Sequence, residues 1–144
     1  MSRPCLVDAN VWLALVVPRH QHHRPTREWF ATLSARDAGL CRVVHLAVIR
    51  LLSNGSVMKD DVLSAAEAWS CLEELRQDER VDFLQEPPTV DSILPRLFRY
   101  RIPTRNLVND AYLAAFAIGA SMRLVTWDGG FRQFRELDAE ILGQ

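Results

Sequence analysis

The chain has 144 residues, of which 49% are hydrophobic and 24% charged, with 17 Lys and Arg against 18 Asp and Glu for a net charge of −1. That is the size and composition of one ordinary soluble globular domain with a real core, and the charge gives it no overall basic footprint for nucleic acid. A local basic patch stays open, because a patch can do the electrostatic work that net charge does not.

In chain order, Cys5-Leu-Val-Asp8-Ala-Asn10 predicts a buried strand ending at Asp8, with Asn10 capping a short apolar helix from Val11 to Val17 that Pro18 ends. Met1 to Pro4 is too short for a signal segment, and no apolar run approaches ~18 residues, so a cytoplasmic protein with no membrane span is expected. Cys5, Cys41 and Cys71 are odd in number and not spaced as a metal motif, which fits reduced core thiols. A polar loop, Arg19 to Arg24, carries His20, His22 and His23, and Pro25 opens a second helix running to about Ser34. Three imidazoles invite zinc, but without a nearby cysteine a solvated loop explains them as well.

Gly39 to Val43 reads as a second buried strand, and Val44 to Leu52 as a helix closed by Asn54-Gly55. His45 then stands near the carboxyl end of that strand, either at a site or merely as a polar residue near a helix start. Asp60 or Asp61 caps a long helix with Val62, Ala65, Ala66, Trp69, Leu72 and Leu75 at helical spacing. Val81 to Leu84 is a third strand, and Val90 to Tyr100 a helix despite Pro95. Arg96, Arg99, Arg101 and Arg105, interleaved with Phe98 and Tyr100, suit RNA phosphates and unstacked bases or simply a solvated helix end.

Asn109 to Gly119 predicts a helix capped by Asn109 and ended by a left-handed Gly119, and the stretch from Arg123 a short buried strand that stops at the carboxylate of Asp128, followed by two glycines. Arg132 to Gln144 reads as a polar tail with Leu137, Ile141 and Leu142 as anchors. Strands alternating with helices imply an α/β fold with a mainly parallel sheet covered on both faces. A helix that packs on the strand it feeds runs antiparallel to it, so Asp110 and Asp128 face one another, and Asp8 lies at the same edge, where such sheets bind ligands. Three converging carboxylates repel each other unless a cation neutralises them, and an all-oxygen acidic site suits Mg²⁺ or Mn²⁺.

Taken together, Val7-Asp8-Ala-Asn10, Asn109-Asp110-Ala-Tyr-Leu-Ala-Ala115 and Val125-Thr-Trp-Asp128-Gly-Gly-Phe131 resemble the PIN domain in its VapC toxin form over essentially the whole chain. The likeness extends to Cys41-Arg-Val-Val-His-Leu-Ala-Val-Ile-Arg50-Leu-Leu, Val57-Met58 and Phe83-Leu-Gln-Glu-Pro87. It implies a single PIN domain over residues 1–144, a three-layer α/β/α fold, and a metal-dependent endoribonuclease that hydrolyses RNA phosphodiesters with a Mg²⁺-activated water. By carry-over Asp8, Asp110 and Asp128 are the Mg²⁺ ligands, directly or through water, and Thr126 orients a carboxylate or a water. Expected partners are the RNA substrate, a VapB-like antitoxin and a second copy of the chain. His45 stands where PIN domains commonly place a glutamate; as a site residue it would touch a phosphate when protonated or accept Mn²⁺. The alternative is a catalytically weakened PIN fold that binds RNA or a protein partner. A haloacid-dehalogenase phosphatase needs a second aspartate where Asn10 stands and a lysine, and the only lysine is Lys59 in a middle loop.

Overall fold

The computed structural model describes residues 3–99 and 106–144. Tyr100, Arg101 and Arg105 of the expected basic stretch lie outside the described residues. Five strands form one sheet in the order β3-β2-β1-β4-β5, every pair parallel: β1 (Cys5–Val7), β2 (Ala38–Leu40), β3 (Val81–Phe83), β4 (Arg123–Thr126) and β5 (Ala139–Ile141). The chain builds outward from β1 to β2 and β3, then crosses to the other side of β1 for β4 and β5. The order therefore reverses between β1 and β4, and the crevice at that reversal is where open α/β sheets bind ligands. Cys5, Leu6 and Val7 are all fully buried, as a central strand covered on both faces requires.

Seven α-helices flank the sheet among the described residues: α1 (Ala9–Val16), α2 (His23–Phe30), α3 (Arg42–Leu52), α4 (Gly55–Met58), α5 (Ala65–Arg76), α6 (Val90–Leu97) and α7 (Leu107–Gly119). On one side α1 packs on α2 and α3, and α3 on α5; α6 and α7 pair separately, with α7 against β4. This is the three-layer α/β/α arrangement with a parallel sheet. The alanines of α7 explain its depth, since Ala111, Ala114, Ala115 and Ala117 are fully buried and let the helix backbone approach the sheet closely.

Several boundaries differ from those expected. Asp8, not Asn10, is the N-cap of α1, accepting from the Ala9 N–H at 2.7 Å, which frees Asn10 for other bonds. Helix α3 begins at Arg42, two residues early, because β2 ends at Leu40. Asp60 and Asp61 lie in a 3₁₀ turn, and α5 is started by Ser64, whose hydroxyl accepts from Glu67 N–H while the Glu67 carboxylate accepts from Ser64 N–H. Helix α7 starts at Leu107, so Asn109 is inside it and caps nothing. Gly119 ends α7 without a left-handed backbone; Ser121 takes that conformation at φ 54°. The glycine is required for space, because a Cβ there would stand 2.5 Å from Thr89 Oγ1. The tail is not merely anchored: residues 139–141 form the fifth strand, Ile141 is buried, and Leu142 N–H donates to Thr126 O at 2.8 Å.

Candidate active site

Asp8 follows β1 directly, Thr126 is the last residue of β4, and Asp128 stands two residues beyond it, so the two neighbouring strands deliver their polar groups to one edge. Asp8 is almost wholly buried and Thr126 wholly so. The Thr126 hydroxyl donates to Asp8 Oδ2 at 2.8 Å and accepts from Asp128 N–H at 3.0 Å and from the Asn10 amide at 3.3 Å. One proton and two lone pairs are thereby all used. Asn10 Oδ1 in turn accepts from Trp127 N–H at 3.2 Å, and Asp128 Oδ1 from Gly130 N–H at 2.8 Å. The edge is thus pinned by a closed hydrogen-bond network that joins α1 to the end of β4.

Asp110 sits in the first turn of α7, half-buried at the same edge. Burial, and then the charges of Asp128 and Asp8, push its carboxyl up to about 6. Burial also raises Asp8, opposed by the Thr126 hydroxyl and the Ala9 N–H. The charges of Asp8 and Asp128 therefore reach Asp110.

Their donor chemistry fits a hard divalent cation: carboxylate oxygens only, with a lone pair left on each Asp8 oxygen after its one hydrogen bond. They do not form a closed cage. Among the described residues no three His, Cys, Asp or Glu side chains are grouped tightly enough to hold an ion unaided. A cation held here would keep part of its water shell, as Mg²⁺ commonly does.

His45 is fully buried but is not brought to the acids. Its ring lies edge-on to Trp69 and Phe83, its Nδ1 is 3.0 Å from Arg42 Nη1, and the charges that bear on it are those of Arg42, Arg76 and Glu73. The three loop histidines are used one by one: His23 Nδ1 donates to Ala14 O at 2.8 Å, His20 Nδ1 accepts from His22 N–H, and His22 stacks on Trp127 at 4.0 Å. Of the expected basic stretch, Arg96 is held in a fork by Glu136 at 2.9 and 3.1 Å. Sequence reasoning missed Asn10 as a site-framing residue. The only signal was its position two residues past a strand-end acid, mirrored by Thr126 two before another, and nothing in the sequence says that residues 116 apart meet.

Comparison with known proteins agrees with this geometry. Residues 5–137 match the PIN domain. Ribonuclease VapC41 of Mycobacterium tuberculosis strain H37Rv is 33% identical, over 96% of this chain and 99% of the relative, and ribonuclease VapC37 of the same strain is 33% identical over 90% of each. Among solved structures, VapBC-1 from nontypeable Haemophilus influenzae superposes with a TM-score of 0.69 at 16% identity, covering 96% of this chain and 98% of that one. The sarcin-ricin loop cleaving toxin VapC20 of Mycobacterium tuberculosis gives 0.67 at 17% identity, covering 89% and 92%. With an acidic edge at the switch point of a parallel sheet, a PIN match over nearly all its length and VapC relatives above 30% identity, the chain belongs to the PIN-domain family of VapC ribonucleases.

Proposed function

We propose that this chain is a metal-dependent endoribonuclease, the VapC-like toxin of a toxin-antitoxin pair, acting in the cytoplasm as one PIN domain over residues 1–144. The observation that carries the reading is the edge where the charges of Asp128 and Asp8 act on Asp110 while Thr126 and Asn10 hold the frame. Asp8, Asp110 and Asp128 would hold Mg²⁺ or Mn²⁺, directly or through water; when bound, the ion supplies a more acidic water and neutralises charge on a phosphodiester. The chain's own part is orientation. Thr126 fixes the Asp8 carboxylate, the Ala9 N–H fixes its other oxygen, and burial strengthens every interaction made there.

Partners follow from the same reading. The VapBC structures among the relatives support a VapB-like antitoxin for this chain, and a negative edge attracts a basic residue of such a partner without further assumption. A homodimer is the expected assembly. No described helix is long and apolar enough to cross a membrane.

The test is incubation of labelled total bacterial RNA with the protein in Mg²⁺, Mn²⁺ or EDTA, with Asp110→Asn alongside. Discrete metal-dependent products bearing 5′-phosphate and 3′-hydroxyl ends, absent in the variant, are expected. Metal-independent cleavage, or 2′,3′-cyclic phosphate ends, overturns the metal-water route; no cleavage by folded, antitoxin-free protein moves the reading to a binding module.

A further inference from the structure

Beside the acidic edge lies a second constellation that metal chemistry does not use. Arg42 opens α3 immediately beyond the carboxyl end of β2, and Phe83 ends β3, so both stand at the sheet edge where Asp8 stands. Phe83 is two strands from β1, about 10 Å at the spacing of paired strands. The guanidinium carbons of Arg42 and Arg76 lie 4.7 and 4.2 Å from the centre of the Phe83 ring. Arg76 also contacts Glu73 at 3.3 Å, whereas among the described residues no carboxylate pairs with Arg42.

Among the described residues the only polar partner of Arg42 is His45. A guanidinium has donors and no acceptor, so at 3.0 Å the imidazole Nδ1 must be the acceptor and carries no proton. His45 is fully buried, edge-on to Trp69 and Phe83, and its Nε2 has no partner among the described residues. The ring is therefore a fixed support that aims a charged, solvent-exposed guanidinium without neutralising it. The placement also runs against the helix dipole, which disfavours a cation in the first turn of a helix and favours an anion there. Phe83 and His45 offset that cost, and an anion bound to Arg42 would remove it.

We propose that Arg42, backed by Arg76 and positioned by Phe83 and His45, is a phosphate-binding site for single-stranded RNA, holding the backbone one to two nucleotides from the acidic edge. Arginine suits this role because its fork matches phosphate and its plane stacks on an aromatic face or a splayed base. His45 is a positioning residue in this assignment. The assignment rests on the ribonuclease reading, so binding is measured apart from cleavage.

The experiment is fluorescence anisotropy of a labelled 12-nucleotide single-stranded RNA with the full chain in EDTA, across a salt series, for wild type, Arg42→Ala, Arg42→Lys, His45→Phe and the double variant Arg42→Ala/His45→Phe. Arg42→Ala is expected to weaken binding roughly five- to tenfold and to lower the salt slope by about 0.7, one phosphate contact to a single strand. Arg42→Lys should recover the slope and only part of the affinity. His45→Phe keeps a ring and removes the acceptor; it should weaken binding less than Arg42→Ala, and the double variant should bind no more weakly than Arg42→Ala alone. Unchanged affinity and slope in folded Arg42→Ala overturns the site, as does an additive double variant overturn the coupling to His45. If wild type binds no RNA in EDTA yet cleaves it with metal, this site fails and the nuclease reading stands; if it binds with the expected variant losses and never cleaves, the site stands and the nuclease reading fails.

Discussion

At the scale of single residues, the proposed chemistry depends on one hydroxyl more than its modest size suggests. Thr126→Val keeps the shape of the side chain but strips the buried Asp8 Oδ2 of a donor and the part-buried Asp128 N–H of its acceptor. Leaving such groups unpaired costs about 1–3 kcal/mol, so urea unfolding should show a loss in that range and RNA cleavage should fall with it. Thr126→Ser, which retains the hydroxyl, should keep most of both. Asp110 gives a prediction with a definite sign in pH. Its carboxyl in the folded chain is pushed up to about 6 from an ordinary 3.8, so the folded state holds the proton more tightly than the unfolded one. Its contribution to stability is complete below pH ~4 and is lost as pH rises through about 6. In EDTA, Asp110→Asn should therefore melt higher than wild type at pH 8, by on the order of 1 kcal/mol after allowance for screening at a partly exposed group, and nearly level with it at pH 4. Adding Mg²⁺ at pH 8 should close that gap by stabilising wild type alone.

At the scale of elements, the contact between α7 and the segment leading into α6 is set by the absence of a side chain. Gly119→Ala would gain about 1 kcal/mol in helix propensity, yet its Cβ would meet Thr89 Oγ1 at 2.5 Å and Pro87 Cβ at 3.2 Å. Overpacking of this kind costs about 1–3 kcal/mol, so thermal melting should show a net loss. Thr89→Ala in the same chain should recover most of it. This position also marks how far sequence reasoning reached. It was right that a glycine belongs at the end of α7 and wrong about why, because the turn conformation falls on Ser121 and the close approach to Thr89 involves a residue 30 positions away. The same holds at the start of α1: an Asp and an Asn two residues apart are equally good caps by local preference, and only the bonds of Asn10 to Thr126 and Trp127 decide which of them caps. Alternation of strands and helices was legible because apolar periodicity records which faces are buried. The strand-end acids were legible because strand ends share an edge. The Arg42–His45–Phe83 constellation was not, since ring stacking between α3 and β3 leaves no period in either segment.

At the scale of the whole molecule, the last strand ties the site to the far end of the chain. Residues 139–141 give no strand signal in the sequence, because three residues are too short for alternation to register and an edge strand carries polar residues such as Glu140. The match to the PIN domain ends at residue 137, just before this strand. Yet β5 pairs along β4 through Leu124, Val125 and Thr126, and the Leu142 N–H fills the carbonyl of Thr126, the residue whose hydroxyl frames the acids. Gly143 lies so close beneath Trp127 that a Cβ there would fall 2.8 Å from the ring; Trp127 is itself held by Thr26 at 3.1 Å and by the His22 stack. A chain cut after Leu137 exposes one side of β4 and loses the packing under Trp127, which together position both Thr126 and Asp128. We expect such a truncation to melt several degrees lower, because removing the cover of a buried strand and Ile141 costs about 2 kcal/mol or more. We also expect the tryptophan emission to shift red and cleavage to be lost at temperatures where the shortened chain is still folded. A truncation that melts and cleaves like the full chain would mean that β4 and its acids are held by the preceding strands alone, and that β5 is only a cover.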